Sequence, residues 1–566
     1  MKSFQQSWRR VSNDTASKEE ELNGIEAVAR ILKLEGVEWV SCFPSNNLIE
    51  AIAQEGIRLT MFRQERGAIM AADGYSRSSH RKKFGVNVTQ GGPGAENGMG
   101  GIAQAYADNI PILLIPGGPP LASWSVKPNF SPSRVYAPIS KQTEAIFSSG
   151  QVGNVMRRAF HALRNGTGGP VTVETPADIA AAEVPSEVLE NYNPPKRSIT
   201  SPSRSDVKEA VKLLVNAKRP VIWAGGGVLF GDATAELKQF AELADVPVFT
   251  TMQGKSAFPE DHPLSLGAGS GATTLPARKW LQESDVLFGL GTSLSRTGYG
   301  QPIPSGKVII HNSDNITDIN KDEAADVALY GDVKATLEIA IDELKAAIGE
   351  EGRKTGVASE IAEVRKQWMA EWHSMLDSDD VPINTYRVVG EIDRCLDKTN
   401  SIVTHDAGAP RDSIIPFYHA TTPGGYIGWG KTTHLGFGIP LMIGAKLANP
   451  DKFCLNLMGD GAYGMSAMDL ETSVRAGAPI TTVVLNNGGM ATYPGGYPTA
   501  RELYGVTELT GNYASQAQNM GAVGITVDDP AEMAVALAAA QRHNAEGNTV
   551  LIDVHSNFES KKSRFG

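Results

Sequence analysis

The sequence predicts an α/β protein made of three doubly wound parallel-sheet domains. Two observations carry this. Short runs rich in Val, Ile and Leu alternate with longer stretches of helical spacing, in three successive blocks; that alternation is the texture of parallel α/β units. The chain has 566 residues, which suits about three domains of roughly 100–200 residues each.

The first block, assigned to residues 1–190, holds the apolar runs WVSCF, VNVTQ, IPILLIPG and PVTVETP and the helical stretch RGAIMAADGYSR. NPPKRSITSPSRSD reads as a linker, because Pro and Ser punctuate it. The second block, assigned to 200–345, holds RPVIWAGGG, VPVFTT, VLFGLG and KVIIHN. A charged helical stretch containing EIAEVRKQWMAEWHSML serves as connector. The third block, assigned to 380–566, holds SIVTHD, KFCLNLMGDG, ITTVVLNN and TVLIDVHS.

Composition narrows the function. The formal net charge is -11, which argues against partners such as nucleic acid or an anionic membrane. No run approaches the roughly 18–20 apolar residues of a membrane span. The first residues, MKSFQQSWRRVSNDTASKEEE, lack an apolar signal core. Cys42, Cys395 and Cys454 are too few and too scattered for a disulfide framework. A cytoplasmic protein is expected.

The chemistry concentrates in GDGAYGMSAMDLETSVRAGAPITTVVLNNGGM, residues 459–490. LNLM before Gly459 and TTVVL before Asn486 read as buried strands. MSAMDLETSVRAG reads as one helix stopped by Gly477. Asp460 and Asn487 then stand just beyond the carboxyl ends of parallel strands, where open α/β sheets bind ligands. Gly459 and Gly461 allow the backbone close to a ligand. The following helix start suits phosphate. A carboxylate and an amide oxygen suit Mg²⁺, which shares its coordination with phosphates. Each turn alone is commonplace as an Asp-Gly or Asn-Gly turn; the pair in this order makes a diphosphate and magnesium site.

GDG followed by this asparagine pair resembles the thiamine-diphosphate motif. The resemblance runs along the whole chain, to the acetolactate synthase-like superfamily. It implies a pyrimidine-binding, a central and a diphosphate-binding domain, in that order. It implies that Asp460, the Asn487 side chain and the Gly489 carbonyl hold Mg²⁺. Gly461 and Ala462 would touch the diphosphate of thiamine diphosphate, with Asp406 and Ala407 of THDAGAP adding loop contacts, and Gly459, Asn487 and Met490 are further cofactor-binding candidates. Leu435 falls where relatives place a large apolar residue under the bent cofactor, though ordinary core packing explains it equally well.

MFRQERGAIMAADGYSR resembles the family's R-x-E-x-x-A-x-x-A-x-G-Y-x-R pattern, one position longer, with Arg63, Glu65, Ala68, Ala71, Gly74, Tyr75 and Arg77. It implies that Glu65 is the catalytic acid that engages the aminopyrimidine. As a bare sequence feature, Glu65 is also an acid favoured by a helix start. QGGPGAENG is similar to the family's G-P-G-x-x-N segment and implies that Gly92 and Asn97 line the pyrimidine end. In the family one cofactor is served from two chains, so a homodimer or homotetramer is implied, with the cofactor at the subunit interface.

The chain also departs from its relatives. NFSPSRVYAPISKQ stands where acetolactate synthases carry A-F-Q-E-T, so Ser131 or Pro132 replaces the usual glutamine. PSNN, Pro44 to Asn47, replaces P-G-G. MATYPGGYPTARELYG reads as a substrate lid. The central block lacks the R-F-D-D-R pattern of FAD-binding members; relatives bind FAD, ADP or nothing there, and FAD is disfavoured. His405 and His434 lie near motif segments.

The function expected is a thiamine-diphosphate and Mg²⁺-dependent enzyme forming or cleaving a C–C bond next to a carbonyl. Its substrate is a small carbonyl compound, handled by a 2-oxo acid decarboxylase or carboligase. One alternative is a 2-hydroxyacyl-CoA lyase or acyl-CoA decarboxylase, with the terminal Lys-Lys-Ser-Arg clamping an acidic group. Another is a non-catalytic nucleotide-binding protein on the same domains.

Overall fold

The computed structural model describes residues 21–490 and 496–565. The polar start of the chain, and residues 491–495 of the expected lid, lie outside the described residues. Among the described residues, eighteen strands form three six-stranded sheets, and every pairing between these strands is parallel. The chain is α/β throughout, as expected.

Sheet one contains β1 (Trp39–Cys42), β2 (Arg58–Met61), β3 (Gly85–Thr89), β4 (Ile112–Gly118), β5 (Gln142–Ala145) and β6 (Val171–Pro176), in the order β2-β1-β3-β4-β6-β5. Sheet two contains β7 (Pro220–Ala224), β8 (Val248–Thr251), β9 (Ser265–Gly269), β10 (Val286–Leu290), β11 (Val308–Ser313) and β12 (Val327–Tyr330), in the order β12-β11-β10-β7-β8-β9. Sheet three contains β13 (Ser401–His405), β14 (Tyr426–Ile427), β15 (Phe453–Gly459), β16 (Thr481–Asn486), β17 (Val523–Val527) and β18 (Val550–His555), in the order β14-β13-β15-β16-β18-β17. The central strands are buried along their length, as expected where helices cover both faces of a sheet.

In each sheet the chain reverses its winding after its first strands, and sheets one and three reverse again at the far edge, where β5 and β17 lie outside β6 and β18. It leaves β1, β7 and β13 toward one flank and later returns to the other. A crevice therefore opens beyond the carboxyl ends of β1/β3, β7/β10 and β13/β15, the position where such sheets bind ligands.

Sheets one and three share a core. Trp39, Phe62, Met70 and Tyr75 pack in one apolar cluster with Phe437, Leu441, Met458 and Leu470. At its centre the helix Glu65–Ser78 crosses the helix Gly438–Ala448 at backbone distance. A Cβ on Gly74 would lie 2.0 Å from the Leu441 carbonyl oxygen, and one on Gly444 would lie 1.9 Å from that of Ala71. The connector helix Val357–Ala370 is amphipathic: Ile361 and Val364 pack toward sheet two, while Trp368 stacks on Phe417 beside sheet three at 5.0 Å.

The one helix expected between β15 and β16 is two, Asp460–Ser466 and Asp469–Arg475. The apolar spacing continues through Ala467 and Met468. The break turns the Asp469 carboxylate toward sheet one, where it accepts the Arg63 backbone N–H at 3.0 Å. Gly477 ends the second helix with φ +58°. Among the described residues, no helix is long and apolar enough to cross a membrane.

The crossing makes a stability prediction. Gly444→Ala should destabilise the fold by about 2–3 kcal/mol, because backbone cannot yield as a side chain does. Gly150→Ala, where the new Cβ meets only Ser148 Oγ at 4.0 Å, should unfold like the wild type. Equal thermal midpoints for the two variants would contradict the close crossing.

Candidate functional site

Sheet three builds the principal crevice. Ala407 to Pro410 come from the turn after β13, Gly459 to Ala462 from the turn after β15, and Asn487, Gly489 and Met490 from the segment after β16. Leu435 lines the same space. Nine residues singled out in the sequence thus converge: Ala407, Leu435, Gly459, Asp460, Gly461, Ala462, Asn487, Gly489 and Met490. Thr385, Pro410, Leu485 and Glu559 also line it and carried no sequence signal.

Local hydrogen bonds fix the donors. Asp460 Oδ1 accepts the Gly461 N–H at 2.8 Å and Oδ2 accepts the Gly488 N–H at 2.9 Å. Burial pushes the Asp460 carboxyl above its ordinary range, against these backbone donors. Asn487 Oδ1 accepts the Gly489 N–H at 3.1 Å. Met490 closes one side, since a Cβ on Gly461 would touch its Cγ at 3.1 Å.

Asp406 is fully buried rather than lining the crevice. Its carboxylate accepts three backbone N–H groups: Ala407 at 2.8 Å, Gly436 at 3.0 Å and Gly438 at 2.8 Å. It therefore ties the turn after β13 to the segment carrying Leu435. Burial pushes its carboxyl up to about 6 despite those bonds. His405 points away from the crevice. Its ring stacks on Trp429 at 5.1 Å, its Nε2 is buried without a partner, and burial holds it down at about 3. His434 meets Arg66 Nη1 at 3.3 Å through Nε2, and burial, then Arg66, lowers its affinity for a proton.

A second group forms on sheet one. Glu65 begins its helix and is only 7% exposed. Asn97 Nδ2 donates to Glu65 Oε2 at 2.6 Å. Glu65 Oε1 lies 3.2 Å from where a Cβ on Gly94 would stand. Gly92, at φ +60°, caps the helix Pro93–Ala107. It lines the β1/β3 crevice together with Ser45, Asn46 and Asn47 of the PSNN turn. Among the described residues, none of sheet three lines that crevice and none of sheet one lines the other. Ser131 is buried, and its hydroxyl bonds Glu174 inside the first unit; neither Ser131 nor Pro132 lines the crevice.

Between β7 and β10 a third crevice carries Gly226, Gly227, Gly291, Asp314, Asp332 and Lys431. The terminal Lys-Lys-Ser-Arg is folded against the protein. Ser563 Oγ donates to the Thr273 carbonyl at 2.6 Å, and Arg564 pairs with Asp412 at 2.5 Å.

The chain matches three family models. They are the thiamine pyrophosphate enzyme N-terminal TPP binding domain over residues 22–138, the central domain over 207–339, and the C-terminal TPP binding domain over 406–554. It is 31% identical over 551 residues to a probable acetolactate synthase large subunit of Methanococcus aeolicus, covering 92% of this chain and 90% of that one. A probable acetolactate synthase large subunit of Methanocaldococcus jannaschii is 32% identical over 488 residues, 82% and 80% of the two chains. The acetolactate synthase large subunit of Haemophilus influenzae is 28% identical over 562 residues, 94% of each. The chain belongs to the thiamine-diphosphate-dependent enzymes of the acetolactate synthase type. The acyl-CoA and non-catalytic alternatives are not favoured.

Asp469, which anchors the turn into Glu65, gives a pH prediction. Burial pushes its carboxyl up to about 6 from 3.8. Between those values the folded chain keeps a proton that the unfolded chain has released. The associated stability is thus present below about pH 4 and lost as pH rises through 6. Relative to Asp469→Asn, which does not titrate, the wild type should lose up to about 3 kcal/mol between pH 4 and 7. Denaturant unfolding of both proteins across this range measures the difference; a flat difference would refute the raised value.

Proposed function

We propose that this enzyme of the acetolactate synthase type is a carboligase that joins a decarboxylating 2-oxo acid to a second carbonyl compound. In this reading the sheet-three crevice takes the diphosphate of thiamine diphosphate through Mg²⁺. Glu65 of a second copy of the chain takes the pyrimidine. The observation that carries the reading is the convergence of Asp460, Asn487 and Gly489 on one crevice at the first winding reversal of sheet three.

The donors fit the group. Carboxylate, amide and carbonyl oxygens are hard ligands. Among the described residues no group of three His, Cys, Asp or Glu could hold a metal. A cation here would thus complete its shell with phosphate oxygens and water, the habit of Mg²⁺. Burial leaves the Asp460 charge under-compensated, which favours a cation beside it. Gly408 has nothing within 4 Å of its Cβ position, and Gly459 only Pro410 at 3.9 Å, so the backbone leaves room for a diphosphate.

When bound, thiamine diphosphate supplies a carbon nucleophile and an electron sink for the carbonyl carbon. The chain's residues bind and orient it. Leu435 presents an apolar surface in the crevice, held by the Asp406 bonds. Asn97 occupies Glu65 Oε2, which leaves Oε1 to share a proton with a ring nitrogen. The low exposure of Glu65 keeps water from competing for that proton. Since the two groups line no common crevice, a homodimer that brings Glu65 of one copy to Asp460 of another supplies both halves, and a homotetramer repeats the arrangement. Three free cysteines support a cytoplasmic setting. The three sheets support domain limits at 1–190, 200–345 and 380–566.

Thiamine diphosphate and Mg²⁺ together, but neither alone, should raise the thermal midpoint, and Asp460→Ala should abolish the rise. Glu65→Gln should retain it yet form product at least about 100-fold more slowly. Product analysis with pyruvate, with and without an aldehyde, reads the reaction. Full activity in Glu65→Gln would dismiss the role given to Glu65, and cofactor binding without product would dismiss the carboligase.

A further inference from the structure

The β1/β3 crevice of sheet one has a volume of about 560 Å³. It opens beside Glu65: a Cβ on Gly94 would stand 3.1 Å from Gln90 Cβ and 3.2 Å from Glu65 Oε1, and Gln90 lines the crevice. Among the described residues its polar lining consists of the uncharged Ser45, Asn46, Asn47, Gln90, Asn129 and Thr175, with Glu96 as the only charged side chain and no Lys, Arg or His.

Two features single it out. Thr175 is 5% exposed and its Oγ1 is buried without a hydrogen-bond partner. An unmade bond of this kind is costly, and Thr175 lines the crevice. Second, the walls are braced. Asn46 Nδ2 donates to the Thr89 carbonyl at 3.0 Å, across the strand ends. The loop that brings Asn129 and Phe130 to the rim is gathered on the buried Glu174. That carboxylate accepts from Trp124 Nε1 at 2.8 Å and from Ser133 Oγ at 2.6 Å.

We propose that this crevice binds the hydroxyl-bearing, uncharged portion of the acceptor carbonyl compound, and so selects a neutral hydroxyaldehyde over a second 2-oxo acid. The proposal rests on the carboligase reading above. A 2-oxo acid would bring its carboxylate to a space whose described lining holds no cation and one carboxylate, Glu96, where the like charges repel. A hydroxyl finds a complementary partner in Thr175 and amides in Asn47, Gln90 and Asn129. The reaction balances without an oxidant. The donor's C1–C2 bond breaks and CO₂ leaves, a C–C bond forms to the acceptor's carbonyl carbon, and a proton from solvent ends on the new hydroxyl.

The test uses the holoenzyme with DL-glyceraldehyde, propanal and 2-oxobutyrate. Saturation-transfer NMR reads binding without turnover, and product analysis with pyruvate as donor reads selection. Glyceraldehyde should give the larger transfer and at least about tenfold higher kcat/KM than 2-oxobutyrate. Thr175→Val should weaken glyceraldehyde about three- to tenfold, the worth of one hydrogen bond, and propanal less, with cofactor affinity retained. Glu96→Lys should move the preference toward 2-oxobutyrate. Preference for 2-oxobutyrate in the wild type, or a Thr175→Val variant that treats glyceraldehyde as before, would overturn the proposal. Glyceraldehyde bound in a Thr175-dependent way without product would overturn the carboligase reading and leave the crevice assignment standing.

Discussion

The backbone-to-backbone crossing of the helices Glu65–Ser78 and Gly438–Ala448 governs the rest of the structure. Glu65 begins one helix, and Leu435 stands three residues before the other. A crossing padded by side chains would let each helix shift; one made at Gly74 and Gly444 admits almost no alternative. Arg77, near the end of the first helix, secures it. Its guanidinium donates to both oxygens of Asp73 at 2.8 and 3.0 Å, to Asp108 at 3.1 Å and to the Gly428 carbonyl at 3.2 Å. Two carboxylates on one guanidinium leave an excess negative charge. The backbone N–H groups of Gly430 and Lys431 and the Gln104 amide answer it. Breaking such a buried set costs about 3–5 kcal/mol. An apolar replacement could match its stability but could not hold a loop by its amides.

Asp406 applies the same device on the far side of Leu435. Asp108 takes the N–H groups of Gly430 and Lys431; Asp406 takes those of Gly436 and Gly438. Leu435 is thereby suspended between two buried carboxylates belonging to different sheets. Gly436, at φ +78°, makes the bend that a side chain would resist. Burial works against the ionised form of Asp406, so the three N–H bonds are needed to hold the charge as well as the loop.

What the sequence disclosed follows from this construction. Asp460 and Asn487 were visible because apolar runs ended at them, and strand ends are where open sheets bind ligands. Glu65 was visible because a helix pattern began there. His405 and Asp406 are adjacent at the end of β13, and composition could not say which would face the site; in the fold neither reaches it. His405 turns onto Trp429, and Asp406 accepts three amides. Thr385 and Glu559 escaped notice because they are 174 positions apart in sequence and meet only once Asn384 donates to Glu559 at 2.8 Å. The interruption at Ala467 and Met468 was invisible for a similar reason, since its cause is the bond between Asp469 and Arg63 of another sheet.

Keeping Glu65 and Asp460 apart within one chain has an electrostatic consequence. Two buried carboxylates in one cavity raise each other's proton affinity. On the function proposed above, one of them must stay ionised against a cation while the other exchanges a proton. Asp460 is surrounded by backbone N–H groups of Gly461 and Gly488, which favour its charged form. Glu65 has a single amide partner, Asn97, and an unoccupied oxygen. The Gly461 and Gly488 donors oppose the burial that disfavours the Asp460 charge. On that reading a second copy of the chain would bring Glu65 to the Asp460 crevice, and each acid would keep the setting its own fold gives it.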